Sequence, residues 1–426
     1  MPSSPLAIRD FQLFWIARFC AVLATMGMVV IIGYQVYDVA RAQYGMSIRE
    51  ASFVLGLLGA VQFVPLAILT PVAGWAADRY ERRTVARLAN SMDAGIALAL
   101  ALATYNGWLS LPLLFTLAAL HGVARVFTGP SMSAIAPNIV PPELLPKAIA
   151  LSSIAWQGAT VAGPAIGGFL YAAHPSAPYW TAAALMCLAI LALTPIRRIV
   201  PPQMEGHPHP IRQMIEGLTY VRGHRFLLGA ITLDLFAVLL GGATAMLPVF
   251  ARDILQVGTE GLGLLRAAPA VGAALVAAVF AVRPLKQNVG VKMLWAVAAF
   301  GLTTVVFGLS RSLPLSLLVL ASLGAADMLS VYVRSSLVQL HTPDTMRGRV
   351  SAVSGLAISA SNELGELQSG LFAALLGPVG AVVFGGGAAI AVAGAWSQLF
   401  PELRRARTFD PPPEVLARAV EEEKPA

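Results

Sequence analysis

Residues 111–173 and 313–375 form two copies of one mostly apolar segment, related without a gap by a constant offset of 202 (313 minus 111). Leu111 and Pro112 fall on Leu313 and Pro314, Gly122 on Gly324, Pro141 on Pro343, Lys147 on Arg349, Ser152 on Ser354, Gly163 on Gly365 and Gly168 on Gly370. An apolar duplication of this length restricts the fold severely. In hydrocarbon every backbone N–H and C=O must be satisfied within the segment, which leaves helices or a closed barrel. Duplicated halves in a membrane chain are the usual build of secondary transporters, with the substrate site between the repeats.

Composition agrees with a bilayer. The 426 residues are 57% hydrophobic and 12% charged, with a mean hydropathy of +0.72, whereas roughly a quarter of residues are charged in soluble domains. Windows of about 20 apolar residues, enough to cross a core of roughly 30 Å, lie near 11–38, 51–74, 84–104, 111–130, 146–173 and 177–196. A second set lies near 225–250, 262–283, 288–309, 313–335, 349–377 and 379–400. Twelve spans are therefore expected. With the N-terminus in the cytosol, about 21 of the 29 Lys and Arg fall on the cytosolic side, and only Arg41, Arg49, Arg252 and Arg311 fall outside. Both termini are expected to be cytosolic. The net charge of +7 is distributed by membrane side and not gathered into a stripe, so the lipid bilayer and not a nucleic acid is the expected partner. Met1–Arg9 is short and polar, and span 1 is expected to stay as a signal anchor. Cys20 and Cys187 fall within spans, which leaves no external disulfide framework.

The expected organisation is a six-helix bundle over 1–196, a cytosolic linker over 197–224, a second six-helix bundle over 225–400 and a cytosolic tail over 401–426. In the linker, Ile211, Met214, Ile215, Leu218 and Val221 recur at helical spacing, which fits an amphipathic helix on the membrane surface or a plain connector. His207 and His209 flank Pro208 without a nearby Cys or carboxylate, so no metal is expected there, and no cofactor elsewhere. Spans 1 and 7 repeat at an offset of 216 (225 minus 9): Arg9 falls on Arg225 and Ala21–Val22–Leu23 on Ala237–Val238–Leu239.

Ionisable groups inside spans are costly and are functional suspects. The two alignments set Arg18 against Asp234 and Arg125 against Asp327. At 1.5 Å per residue all four fall in one layer, roughly 12–14 Å in from the cytosolic starts of spans 1 and 7 and about 9 Å from the cytosolic ends of spans 4 and 10. Two cations from one half and two anions from the other can form ion pairs that hold the cytosolic side shut, with protonation of Asp234 or Asp327 favouring opening. Alternatively, Arg125 and Asp327 each hydrogen-bond within their own half and pin neighbouring helices. Glu363 and Glu366, three apart in span 11, share a helix face with Asn362 just before them, and Arg266 in span 8 lies at a similar depth. A carboxylate in a low-dielectric setting suits proton carriage, so Glu363, Glu366, Asp234 and Asp327 are the proton-coupling candidates. Contact with a substrate cation or plain hydrogen bonding remains open for the two glutamates. His121 is a lone histidine in span 4, packed or touching a cavity.

The loop after span 2 runs Gly74-Trp75-Ala76-Ala77-Asp78-Arg79-Tyr80-Glu81-Arg82-Arg83. Glycine permits a tight exit, the basic cluster sits at the headgroups, and Asp78 is suited to face a helix N-terminus, for which span 11 is the natural partner. Tyr34, Phe63, Trp156 and Phe236 are aromatic candidates for an apolar pocket, with Asn362 as a polar contact, although ordinary helix packing accounts for them as well.

These residues resemble the major facilitator superfamily over all twelve spans. The Gly74 to Arg83 loop is similar to the family's signature loop between helices 2 and 3, with Gly74, Asp78, Arg79, Arg82 and Arg83 as gating residues. Arg125 with Gly129 resembles the helix-4 motif. Gly158, Gly163, Pro164, Gly167 and Gly168 resemble the helix-5 motif of antiporters, a hinge that can bend. The stretches Leu233 to Pro269 and Pro343 to Gly370 look like the enterobactin-exporter-like branch. The loop from Arg283 to Lys292 departs from the first-half pattern in having no acidic residue. The resemblance implies proton-driven efflux and a cavity lined by helices 1, 4, 7 and 10.

The expectation is an all-α membrane protein with twelve transmembrane helices in two pseudo-symmetric six-helix bundles, the major facilitator fold. It is expected to act as a monomer in a bacterial inner membrane and to export a hydrophobic or amphiphilic small molecule, siderophore-like or drug-like, by proton antiport. An importer or lipid-type transporter on the same fold is the alternative, and a non-transporting membrane sensor would be a different class. An enzyme is not expected, because no clustered nucleophile and base and no phosphate-binding loop occur.

Overall fold

The computed structural model describes residues 4–199, 210–283 and 285–409, and within these the chain is helical and carries no strand. Span 1 is Arg9–Ala42, span 2 Ile48–Arg79, span 3 Arg82–Tyr105, span 4 Leu111–Ser133, span 5 Leu145–Ala173 and span 6 Ala177–Leu193. Span 7 is Arg225–Ile254, span 8 Gly258–Val282, span 9 Val289–Leu309 and span 10 Leu313–Leu340. Spans 11 and 12 lie in one continuous stretch, Asp344–Leu399, broken at Gly377. Gly377 takes φ 79°, open to glycine without steric cost, and Pro378 follows, so the chain turns where no side-chain-bearing residue would do so easily.

The sequence marks where the helices begin. Ser47 and Glu50 form a reciprocal capping box at span 2, with Ser47 N–H donating to Glu50 Oε2 at 2.8 Å and Glu50 N–H to Ser47 Oγ at 3.3 Å. The repeated Ser-Leu-Pro triplet starts spans 4 and 10, with Ser110 or Ser312 as the cap and a proline in the first turn, where a missing N–H costs nothing.

The chain forms two compact units, Met1–His207 with Leu247–Ala270, and Pro208–Met246 with Val271–Ala426. Small residues set the closest helix approaches in each. In the first unit, a Cβ on Gly163 of span 5 would stand 2.8 Å from the Leu23 carbonyl oxygen and 2.9 Å from Met26 Cβ of span 1. In the second, a Cβ on Gly365 of span 11 would stand 3.2 Å from the Val238 oxygen and 3.3 Å from the Leu239 oxygen of span 7. Gly163 maps onto Gly365 by the first repeat and Leu23 onto Leu239 by the second, so both alignments meet in one recurring contact. Leu247–Ala270 joins the first unit through a similar approach: a Cβ on Gly263 would lie 2.9 Å from the Pro164 oxygen, and one on Gly168 would run into the Thr259 carbonyl.

The linker helix Pro210–Gly223 docks on the start of span 11. Glu216 binds Arg212 at 3.0 Å and Arg349 at 3.2 Å, and Gly217 sits where a Cβ would lie 2.8 Å from the Arg349 oxygen. Val221 is buried, while Ile215 and Leu218 are exposed. The tail beyond Phe409, the histidine pair His207 and His209, and Ile211's side chain lie outside the described residues.

Gly163→Ala is expected to destabilise the protein by about 1–3 kcal/mol through overpacking against Leu23 and Met26, measured as a lowered thermal unfolding midpoint in detergent. Gly158→Ala, whose Cβ would meet only Phe19 Cε2 at 3.8 Å, should leave the midpoint nearly unchanged.

Candidate functional site

The first unit contains a cavity of about 160 Å³ between spans 1, 4 and 5. Arg18, Thr25 and Met26 line it from span 1, Arg125 and Met132 from span 4, and Trp156 from span 5. The two cations that sequence depth set in one layer therefore share one cavity. Arg125 donates through Nη1 to Gln62 Oε1 at 2.9 Å. Arg18 makes no hydrogen bond or ion pair among the described residues, and its Nε is buried without a partner. Of the aromatic candidates, Trp156 lines this cavity with its side chain 43% exposed. Tyr34 lies further along span 1, buried, with its ring edge-on to Tyr171 at 5.5 Å. Phe63 is half-buried on span 2, and Phe236 packs 5.3 Å from Trp396 in the second unit.

Deeper in the first unit, His121 Nδ1 lies 2.8 Å from Asp93 Oδ1, with side chains 1% and 2% exposed. His121 is thus paired and not lone. The pair gives each buried side chain a hydrogen-bond partner and ties span 3 to span 4. His121 Nε2 is buried without a partner, as are both polar atoms of Asn90, one turn before Asp93.

At the end of span 1 away from the N-terminus, four charges interlock with the end of span 7. Arg252 Nη2 binds Asp38 Oδ1 at 3.1 Å, Arg41 Nη2 lies 3.7 Å from Asp253 Oδ1, and the Tyr37 hydroxyl donates to Asp253 Oδ2 at 2.5 Å. The Arg252 guanidinium also sits 5.8 Å above the Tyr37 ring, within cation–π range. Each cation faces an anion of the other helix, and the cluster is neutral.

In the second unit, Arg334 Nη2 binds Asp234 Oδ1 at 3.1 Å, with side chains 3% and 7% exposed. Arg334 follows Asp327 by seven residues in span 10, two helical turns, so both project from one face. Asp234 is thus bonded to Arg334 within the second unit, and Arg125 to Gln62 within the first. Glu363 and Glu366 are half-buried on span 11 and Asn362 is exposed, while Arg266 is half-buried on span 8.

The signature loop binds helix ends. Arg82 Nη1 donates to the Ala134 oxygen at 3.2 Å, and Arg83 Nη1 to the Thr194 oxygen at 3.0 Å and to the Ile196 oxygen. Arg83 Nη2 also pairs with Glu81 at 3.0 Å. These arginines satisfy carbonyls left open beyond spans 4 and 6. Arg79 is exposed at the end of span 2 and Gly74 has open space around it. The Asp78 side chain lies outside the described residues.

Asp93, Arg334 and the cluster acids Asp38 and Asp253 are residues that sequence reading passed over. Asp93 is the one acid of span 3, and nothing local marks His121, 28 positions away, as its partner. Arg334→Gln is expected to lower stability by about 3–5 kcal/mol, because it strands the buried Asp234 carboxylate. The Asp234→Asn, Arg334→Gln double substitution should recover much of that loss in chemical unfolding. His121→Ala is expected to act like Arg334→Gln on the Asp93 side, read by the same unfolding measurement.

A sequence profile described as Major Facilitator Superfamily matches residues 14–366. Relatives include an enterobactin exporter of Shigella boydii and one of Escherichia coli, each 26% identical over 410 residues, covering 96% of this chain and 95% of the relative. Among solved structures, the nucleoside transporter NupG superposes with a TM-score of 0.74 at 12% identity over 92% of this chain and 100% of that one. A D-xylose–proton symporter superposes with a TM-score of 0.69 at 14% identity over 92% of this chain and 98% of that one. Such distant structural likeness carries the fold, and the profile match carries the family. The chain belongs to the Major Facilitator Superfamily and is a multi-pass membrane transporter with two pseudo-symmetric six-helix bundles.

Proposed function

We propose that this protein exports a hydrophobic or amphiphilic small molecule, siderophore-like or drug-like, from the cytosol by proton antiport with alternating access. It acts as a monomer in a bacterial inner membrane with both termini cytosolic. The observation that carries this reading is the arginine-lined cavity within a membrane-spanning bundle. A charged pocket at that depth is costly unless it serves a ligand. The whole-length likeness to enterobactin exporters favours export over import.

Proton coupling is supported by acids placed where a proton changes a contact. In the orientation proposed, Asp38 and Asp253 lie at the outer ends of spans 1 and 7, and a proton on either removes one side of an ion pair with Arg252 or Arg41. Glu363, Glu366, Asp234 and Asp327 remain candidates for carrying the proton inward. In the loop after span 2, Gly74, Asp78, Arg79, Arg82 and Arg83 act as the inner gate. In span 5, Gly158, Gly163, Pro164, Gly167 and Gly168 provide the bend, since Pro164 lacks a backbone donor.

In proteoliposomes loaded with a pH-sensitive dye, enterobactin and lipophilic cations are added in turn as probes. The expected outcome is proton movement that depends on one of these probes and is lost or strongly reduced in Glu363→Gln or Asp234→Asn. Flux that survives both changes would remove the coupling assignment, and probe movement indifferent to the pH gradient would remove antiport.

A further inference from the structure

We infer that the cavity of the first unit takes an aromatic amphiphile bearing an anionic group and rejects lipophilic cations. This deepens the transport reading by naming the substrate's charge and rests on that reading for its biological sense.

The starting observation is Arg18. Arg18 lines the cavity and makes no hydrogen bond or ion pair among the described residues, and its Nε is buried without a partner there. A cation taken out of bulk water without a counter-charge is expensive, and the expense is offset when an anion arrives. Arg125 supplies a second guanidinium to the same space while one of its N–H groups is held by the neutral Gln62 amide. Among the described residues no Asp or Glu lines the cavity. Planar guanidinium donors match carboxylate and similar oxyanions, and the bonds are charge-assisted.

The remaining walls define the body of the ligand. Met26 and Met132 are soft, polarisable surfaces suited to ring edges, and the partly open Trp156 indole offers a face for stacking. A volume of about 160 Å³ is close to the roughly 150 Å³ that holds a benzene ring in an engineered cavity. The site thus accommodates one ring with its anionic substituent directed at Arg18 and Arg125. A lipophilic cation of the same shape would meet the like charge of Arg18, which has no counter-charge among the described residues.

Three single-ring probes of similar size that differ in charge test this: benzoate, benzamide and benzylammonium. Binding to the full chain is measured in nanodiscs of zwitterionic lipid by ligand-observed saturation-transfer NMR. Benzoate is expected to bind at least ten-fold more tightly than benzamide, with no saturable binding of benzylammonium. Arg18→Gln should weaken benzoate at least ten-fold and leave benzamide unchanged. Arg18→Lys should retain part of the benzoate preference, which separates lost charge from lost folding, and thermal unfolding checks each variant. Trp156→Ala should weaken benzoate and benzamide alike. Equal binding of the three probes, absence of benzoate binding, or benzoate affinity indifferent to Arg18→Gln overturns the inference. If the charge order holds while the proteoliposome assay gives no proton-linked movement, the anion site stands and proton antiport falls.

Discussion

The close approach of spans 1 and 5, at Leu23 and Gly163, is the contact on which the rest of the first unit depends. No side chain larger than hydrogen fits at residue 163, and its counterpart at Gly365 holds spans 7 and 11 in the same way. Within a bilayer there is no hydrophobic force between helices, so such backbone-to-backbone packing supplies much of their adhesion. Because the seam brings span 5 against span 1, it also fixes where Trp156 stands relative to Arg18. The cavity is therefore a by-product of where the helices touch and where their larger side chains hold them apart.

Charge placement follows from that packing. Buried cations and anions find partners on the nearest helix, as Asp234 does with Arg334 and His121 with Asp93. Arg18 departs from this pattern, with no hydrogen bond or ion pair among the described residues. The far ends of spans 1 and 7 show the opposite design, in which every charge of the cluster is matched by one of the other sign. A neutral, interlocked cluster and a cationic, open pocket thus stand within one unit.

Much of this was legible in the sequence for a physical reason. Apolar windows, the Ser-Leu-Pro starts and the glycine repeats are local signals, and local signals fix helices and their pseudo-symmetric partners. The layer of Arg18 and Arg125 was readable as well, since helical rise converts residue number into depth. Partner choice was not. Arg334 lies just inside the end of the expected span 10, where a basic residue reads as a boundary charge, and Asp93 has no neighbour in sequence that announces a histidine. Which of several charges at equal depth pair together depends on helix rotation, and apolar content alone leaves that rotation undetermined. The association of Leu247–Ala270 with the first unit likewise arises from contacts of Gly263 and Thr259 that no periodicity encodes.

Span 8 runs without a break from Gly258 to Val282, yet its early residues pack with the first unit and those from Val271 onward with the second. Pro269 lies at that changeover, and its ring leaves the Leu265 carbonyl without the usual helical donor. Flexing the rod at this level disrupts one hydrogen bond fewer than it would elsewhere, so the helix is most compliant at the point where its loyalties divide.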